Sequence, residues 1–192
     1  PEDEDIALIL TKPIGIGVIL AAEMRGLCPA ASYEAAIEVM LSSNAGAAEL
    51  ITTHTPFAQM TDVTGFGLAR HGMNLMQRAG FSSMALSLDR IPLIKGAAAL
   101  SGKGISSSLY PHNAGNIALD GAAMLGDGAR PTIDLLFDPQ TSGGILAALP
   151  RQKAAEICSK LHQAGYKQAA IIGQLTHNHA GITLIKTDKA DS

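Results

Sequence analysis

Met60-Thr-Asp-Val-Thr-Gly-Phe-Gly67 places a carboxylate, Asp62, just before a glycine turn that opens a helical pattern. Exposed N–H groups at a helix N-terminus attract anions such as phosphate. A nearby carboxylate could hold Mg²⁺, which prefers oxygen ligands and shares them with nucleotide phosphates. The plainer reading is a strand–turn–helix junction in which Asp62 caps backbone groups. Phe137-Asp-Pro-Gln-Thr-Ser-Gly-Gly144 is the second such segment. Asp138-Pro139 favours a turn, and Gly143 and Gly144 admit backbone conformations closed to other residues. With the Thr141 and Ser142 hydroxyls, the loop could cradle an oxyanion or simply be a well-capped hairpin.

Other candidates carry less. Gly96 to Gly104 resembles a phosphate loop, but its spacing is too long and Gly104 stands where a Mg²⁺-binding hydroxyl belongs. Gly15-Ile-Gly17 lacks the third glycine of a dinucleotide fingerprint. His177 and His179 could share a metal, but no Cys or carboxylate lies close by in sequence, and a solvated turn is the expectation. His71 follows the glycine turn and faces either that site or solvent. His112 and Asn113 belong to a polar loop that could form a functional edge. No Ser/His/Asp triad can be assembled from local signals.

The elements that must position these residues follow from periodicity and punctuation. Strands are expected at Asp5–Thr11, Phe57–Val63, Met84–Leu88, Thr132–Phe137 and Gly144–Leu149. Ala169–Leu175 and Ile182–Lys186 read as a hairpin around His177–Gly181. Helices are expected at Gly17–Arg25, from an N-capping Ser32 to Ser42, and over Ala45–Ile51 capped by Asn44. Further helices are expected at Leu68–Ala79, Ala97–Ser101, Ile117–Leu125 and Arg151–Ala164. Gly102–Asn116 reads as a long loop. Gly80 and Gly165 suit left-handed helix ends. On the last helix Ala154, Ile157, Cys158 and Leu161 share the apolar face. Strands and helices mix without a strict βαβ repeat, so the expected class is α+β.

The 192 residues are 47% apolar and 16% charged, a globular composition in one domain. Aromatics are 4% and Trp is absent, so the core must rest on aliphatic side chains. A net charge of −3 without a basic cluster argues against nucleic acid. No apolar run is long enough to span a bilayer, and no signal-peptide pattern opens the chain. Cys28 and Cys158 are far apart; a reduced, cytoplasmic protein is the natural expectation. Pro1-Glu-Asp-Glu-Asp5 runs straight into Ile6–Leu10 without an initiator Met, as in a chain entered at a domain boundary.

Thr61–Leu68 with His71, and Phe137–Leu146, resemble signature segments of the selenophosphate synthetases (selenide, water dikinases). Leu8-Ile-Leu-Thr-Lys-Pro-Ile-Gly15 with Gly17, Ser42-Ser-Asn44 and Ile91-Pro-Leu-Ile-Lys-Gly96 fit the same family, in family order and fading after about Gly173. Its relatives include aminoimidazole ribonucleotide synthetase, formylglycinamide ribonucleotide amidotransferase, thiamine monophosphate kinase and the hydrogenase-maturation dehydratase. The resemblance implies residues 1–192 to be the C-terminal domain of a two-domain enzyme, with a mixed sheet and helices packed on it. It implies a missing N-terminal domain that binds ATP, forms most of a homodimer and carries the catalytic Cys (or selenocysteine) and Lys. No catalytic residue is then expected in this chain, and Cys28 is in the wrong context to serve.

The implied reaction converts ATP, selenide and water to selenophosphate, AMP and phosphate. Asp62 matches the family aspartate that completes the Mg²⁺ cluster on the ATP phosphates. Thr61, Thr64, Gly65 and Gly67 would shape its approach. Thr141, Ser142, Gly143 and Gly144 fall in the matching loop near the phosphates. No tightly bound cofactor is expected in the chain alone. The implied partners are the N-terminal domain, ATP and selenide, with no nucleic acid and no membrane. The alternatives are another ATP-using relative or a non-catalytic binding or assembly domain. The resemblance also allows fusion to a flavin-dependent dehydrogenase-like module.

Overall fold

A computed structural model describes residues 5–115, 117–177 and 180–186. Its elements run β1 (Ile6–Leu10), α1 (Ile16–Glu23), α2 (Ala30–Leu41), α3 (Ala45–His54), β2 (Gln59–Asp62), α4 (Gly67–Arg78) and β3 (Ser83–Ser87). There follow α5 (Ala97–Gly102), α6 (Tyr110–Ala114), β4 (Leu119–Asp120), α7 (Arg130–Leu135), β5 (Ile145–Pro150), α8 (Arg151–Gln163), β6 (Ala170–Thr176) and β7 (Gly181–Ile185). The strands form one mixed sheet of order β2-β5-β1-β6-β3-β7-β4. The pairs from β2 to β3 are antiparallel, and β7 runs parallel to β3 and to β4.

Strand β1 lies at the centre of the apolar structure, and all five of its residues are buried. Side chains alternate across a strand. Ile6, Leu8 and Leu10 therefore meet one layer, with α1, α4, α5 and α7 supplying Ile16, Val18, Leu68, Leu75, Leu100 and Ile133. Ala7 and Ile9 face the other, where α3 and α8 supply Ala47, Ile51, Ala154, Ile157, Cys158 and Leu161. Neighbouring β5 divides the same way, Leu146 and Ala148 against Ile145, Ala147 and Leu149. A sheet covered on both faces requires such near-continuous apolar strands.

The α+β class holds, but several local expectations are overturned. Thr132–Phe137 is not a strand: Arg130–Leu135 is helix, with Pro131 in its first turn. Pro suits that place because its missing N–H is not needed there, and Arg130 pairs with Asp134 one turn on, Nε to Oδ1 at 2.8 Å. Ile117–Leu125 is not one helix. The free edge of β7 takes up Leu119 and Asp120 as a short strand, and Ala122–Leu125 forms a 3-10 turn. Strands β6 and β7 do not form a hairpin, because β3 lies between them and pairs with both. The long loop after Gly102 contains α6. Ser32 lies inside α2 and is buried, with Pro29 at the N-cap. Asn44 precedes α3, but its side chain turns to the Gly143 carbonyl. Gly80 and Gly165 do take positive φ, and His179 lies outside the described residues.

Candidate functional site

Asp62 ends the edge strand β2, opposite Ile145 of β5. Its side chain is exposed and forms no salt bridge among the described residues. The three residues immediately after it are each held by hydrogen bonds. Val63 is buried, and its N–H donates to the Gly144 carbonyl at 2.8 Å. The Thr64 carbonyl accepts from the N–H groups of Gln140 (3.1 Å) and Gly67 (3.0 Å). The Thr64 N–H donates to Nε2 of His71 at 3.1 Å, and the Thr64 hydroxyl lies 3.2 Å from the same nitrogen. An amide N–H only donates, so Nε2 is an acceptor and the ring is neutral with its proton on Nδ1. Burial lowers the His71 pKa, opposed by the nearby negative charge of Asp62 and assisted by Arg78.

The Gly65 carbonyl accepts from Nδ2 of the buried Asn113 at 2.9 Å, and the same amide nitrogen reaches the Phe137 carbonyl at 3.0 Å. Gly67 has φ +77°, and a Cβ there would lie 2.8 Å from the Phe137 carbonyl carbon. Both its backbone conformation and its close approach to the chain therefore require glycine. At the start of α4, the N–H of Gly67 goes to Thr64 and that of Ala69 to the Leu136 carbonyl at 2.9 Å. These amides, which the glycine turn suggested as anion donors, are taken by the protein itself.

The loop from Asp138 to Gly144 runs alongside. Asp138 is 3% exposed, and its Oδ2 accepts from Gly17 N–H at 2.9 Å and from Gln140 Nε2 at 3.0 Å. Burial pushes its pKa up to about 7, against the opposing pull of donors from Val18, Gln140 and Gly17. Oε1 of Gln140 accepts from the N–H groups of Gly15 (3.1 Å) and Ile16 (3.2 Å). Together these two side chains satisfy amides at the N-terminus of α1 that would otherwise be unpaired. Lys12 is 3% exposed; its ammonium donates to the carbonyls of Val39 (3.2 Å), Ser42 (2.9 Å) and Ser142 (2.6 Å). Ser142, at φ +51°, donates its hydroxyl to the Met40 carbonyl at 2.9 Å. The Gly143 carbonyl accepts from Asn44, and a Cβ on Gly143 would overlap the Val63 carbonyl oxygen.

The structure thus brings Thr61, Asp62, Thr64, Gly65 and Gly67 beside Thr141–Gly144, joined by the Val63–Gly144 and Gln140–Thr64 hydrogen bonds. Thr141 is exposed, while Gly143 and Gly144 are buried under the Asp62 segment and the Lys12 backbone. Local sequence patterns do not mark Lys12, Gln140 or the buried role of Asp138, because the carbonyls of Val39, Ser42 and Ser142 and the amides of Gly15, Ile16 and Gly17 lie more than twenty residues from them in the chain. An exposed Asp62 carboxylate on a rigid mount can give oxygen ligands to a cation. Among the described residues no three His, Cys, Asp or Glu side chains group to hold a metal by themselves. Two open depressions flank the segment. One, of about 250 Å³, is lined by Phe66, Arg70, His112 and Asn113. The other is lined by Thr61, His71, Asn74, Gln77 and Arg78. No helix among the described residues is long and apolar enough to cross a membrane.

A sequence profile described as AIR synthase related protein, C-terminal domain, matches residues 4–185. The selenide, water dikinase of Caldanaerobacter subterraneus subsp. tengcongensis is 37% identical over 169 residues, 88% of this chain and 48% of that protein. The selenide, water dikinase of Rhizobium meliloti is 37% identical over 180 residues, 93% of this chain and 50% of its own length. The chain thus spans about half the length of the curated relatives it matches. Among solved structures, the hydrogenase maturation protein HypE in complex with ATP superposes with a TM-score of 0.68 at 14% identity, over 96% of this chain and 48% of that one. Thiamine-monophosphate kinase from Stenotrophomonas maltophilia K279a gives 0.58 at 14% identity, over 95% and 52%. At that identity the structures show the shared fold alone.

Proposed function

The chain belongs to the AIR synthase related proteins as their C-terminal domain, and from that footing we propose that it is the C-terminal half of a selenide, water dikinase. The reaction is ATP, selenide and water giving selenophosphate, AMP and phosphate, carried out with an N-terminal half such as the relatives' additional length allows. The observation that carries the reading is the exposed Asp62 carboxylate on a backbone pinned by Val63, Thr64 and Gly65. The similarity to selenide, water dikinases over this region supports it.

Asp62 supplies one carboxylate, and that donor set fits Mg²⁺, which takes one or two carboxylates and shares the rest of its shell with phosphates and water. When bound, Mg²⁺ neutralises phosphate charge in such a reaction. The chain's own part is positioning. His71, Asn113 and Gln140 fix the turn that aims Asp62, and little rearrangement remains when a ligand arrives. Thr61, Thr64, Gly65, Gly67 and the Thr141–Gly144 loop form the wall around it. The nucleophile and general acid–base groups belong to the other half, and a homodimer built through that half is part of the same reading. Selenide demands a reducing compartment, so the reaction is placed in the cytoplasm.

The test is product analysis on the full-length protein with ATP and Mg²⁺, with and without selenide, under anaerobic conditions. AMP formed only with selenide, together with a selenium-bound phosphorus signal, is the expected result. ADP as product, or indifference to selenide, would assign the chain to another ATP-using branch of the family.

A further inference from the structure

Past the end of β1 a cleft of about 390 Å³ opens between residues of both helical layers. It shares no lining residue with the Thr61–Gly67 segment or the Thr141–Gly144 loop. Its volume falls within the roughly 300–1,000 Å³ of small-molecule pockets. The floor is the chain leaving β1, Thr11 to Pro13. One wall carries Ile94 and Lys95, and its backbone is tied to that chain. The Ile14 N–H donates to the Pro92 carbonyl and the Ile94 N–H to the Ile14 carbonyl, both at 3.0 Å. A second wall is the turn from Gly165 to Gln168, anchored through Tyr166. The Tyr166 hydroxyl donates to the Ser43 carbonyl at 2.8 Å and accepts from the Ala47 N–H at 2.9 Å. Both walls are thus fixed before any ligand arrives.

Three of the 14 Lys and Arg residues line this one cleft, although the chain carries a net charge of −3. Lys12 is committed to three carbonyls. Lys95 and Lys167 are exposed, and among the described residues neither makes a hydrogen bond or an ion pair. They enter from different walls, on flexible stems that carry point charges, without the planar fork by which arginine grips a phosphate. Pro13, Val39 and Ile94 make part of the lining aliphatic. Glu38 is the one acid among the described lining residues.

Two unpaired cations on different walls, with aliphatic surface in the same cleft, match a short chain bearing a carboxylate at each end. We infer that this cleft binds a small aliphatic dicarboxylate. Lys95 and Lys167 pair with its two carboxylates, and its methylene chain lies against Val39 and Ile94. The buried Lys12 charge beneath adds to the attraction, and Glu38 opposes it. The site is independent of the role given to Asp62.

Calorimetric titration of the full-length protein with glutarate, butyrate and inorganic phosphate tests the assignment without using turnover. Glutarate is expected to bind once per chain, and butyrate, which lacks one carboxylate, about tenfold more weakly. Lys95→Gln and Lys167→Gln alter exposed side chains and should leave the fold intact. Each is expected to bring glutarate down to the affinity of butyrate. Glu38→Gln is expected to tighten glutarate, a gain that a purely structural role for Glu38 would not produce. Raised salt should weaken glutarate in the parent, because exposed ion pairs are screened. No glutarate binding to the full-length protein overturns the site, as does glutarate affinity unchanged in both lysine variants. Equal affinities for glutarate and butyrate overturn the pairing of two carboxylates. Phosphate bound as tightly as glutarate, and lost in the same variants, would show a site for anions in general and overturn the dicarboxylate.

Discussion

The backbone N–H of Thr64 donates to Nε2 of His71 at 3.1 Å, across seven residues of chain. The bond requires a neutral ring carrying its proton on Nδ1, and it ties the turn after Asp62 to the first turns of α4. Nitrogen chemical shifts of His71 should report that tautomer; a proton on Nε2 would contradict the arrangement. Replacing His71 by Ala leaves a partly buried amide without its acceptor and should cost about 1–2 kcal/mol, with His71→Gln losing less. Burial places the folded pKa below the ordinary histidine value. The unfolded chain then binds the proton more readily, so this contribution is full above the ordinary value of about 6.5 and is lost as pH falls through the folded one. Urea unfolding of parent and His71→Ala at a series of pH values would show their difference shrinking on the acid side.

Asp62→Asn keeps shape and removes charge. The side chain is exposed and has no salt bridge among the described residues, so stability should change by less than about 0.5 kcal/mol. Turnover of the full-length protein should fall by at least about a hundredfold, the scale on which preorganised electrostatic groups act. Higher Mg²⁺ concentration should recover part of it. A variant with near-parental rates at low Mg²⁺ would remove Asp62 from the metal role.

Asp138 gives the opposite pH dependence to His71. Its carboxyl is raised from 3.8 to about 7 by burial, so the folded state holds the proton that the unfolded state has released. The stabilising contribution is full below about 3.8 and is lost as pH rises through about 7, amounting to at most about 4 kcal/mol. Asp138→Asn cannot titrate. The parent's unfolding free energy should therefore decline relative to that of Asp138→Asn between about pH 5 and 8, the His71 contribution being common to both. Parallel curves for the two proteins would show that this carboxyl does not ionise in that range.

What was legible in the sequence was whatever local spacing determines. β1 shows as an apolar run, and the core face of α8 shows as Ala154, Ile157, Cys158 and Leu161 at helical intervals, all of them buried. Helix α7 hides from a local reading because Ile133, Asp134 and Leu135 alternate like a strand, while Pro131 in the first turn and the Arg130–Asp134 pair favour the helix. The hairpin between β6 and β7 failed for a reason no local pattern contains. β3, from far earlier in the chain, pairs with both strands and separates them. The site divides the same way. A carboxylate before a glycine turn can be seen in the sequence with His71 close behind it, but the supporting roles of Gln140 and Asn113 cannot, since they come from distant segments.

Lys12 is the residue on which these distant segments converge. It lies at the end of β1, and its ammonium holds the Val39 and Ser42 carbonyls at the end of α2 and the Ser142 carbonyl of the glycine loop. A charge at a helix C-terminus is favourable, and all three donors are used, which lets a buried lysine persist although desolvation lowers its pKa. Lys12→Met removes the charge and strands three carbonyls, an expected loss of about 3 kcal/mol or more. Lys12→Arg retains the charge, but a planar guanidinium cannot direct three bonds along an ammonium's tetrahedral directions. It should therefore recover less than half of that loss. Because Gly144 links this loop to Val63, the Met variant should also raise the Mg²⁺ concentration needed for half-maximal turnover of the full-length protein. Calorimetric unfolding with a Mg²⁺ titration separates the two effects. Lost stability with an unchanged Mg²⁺ requirement would show that the loop braces the fold without setting the position of Asp62.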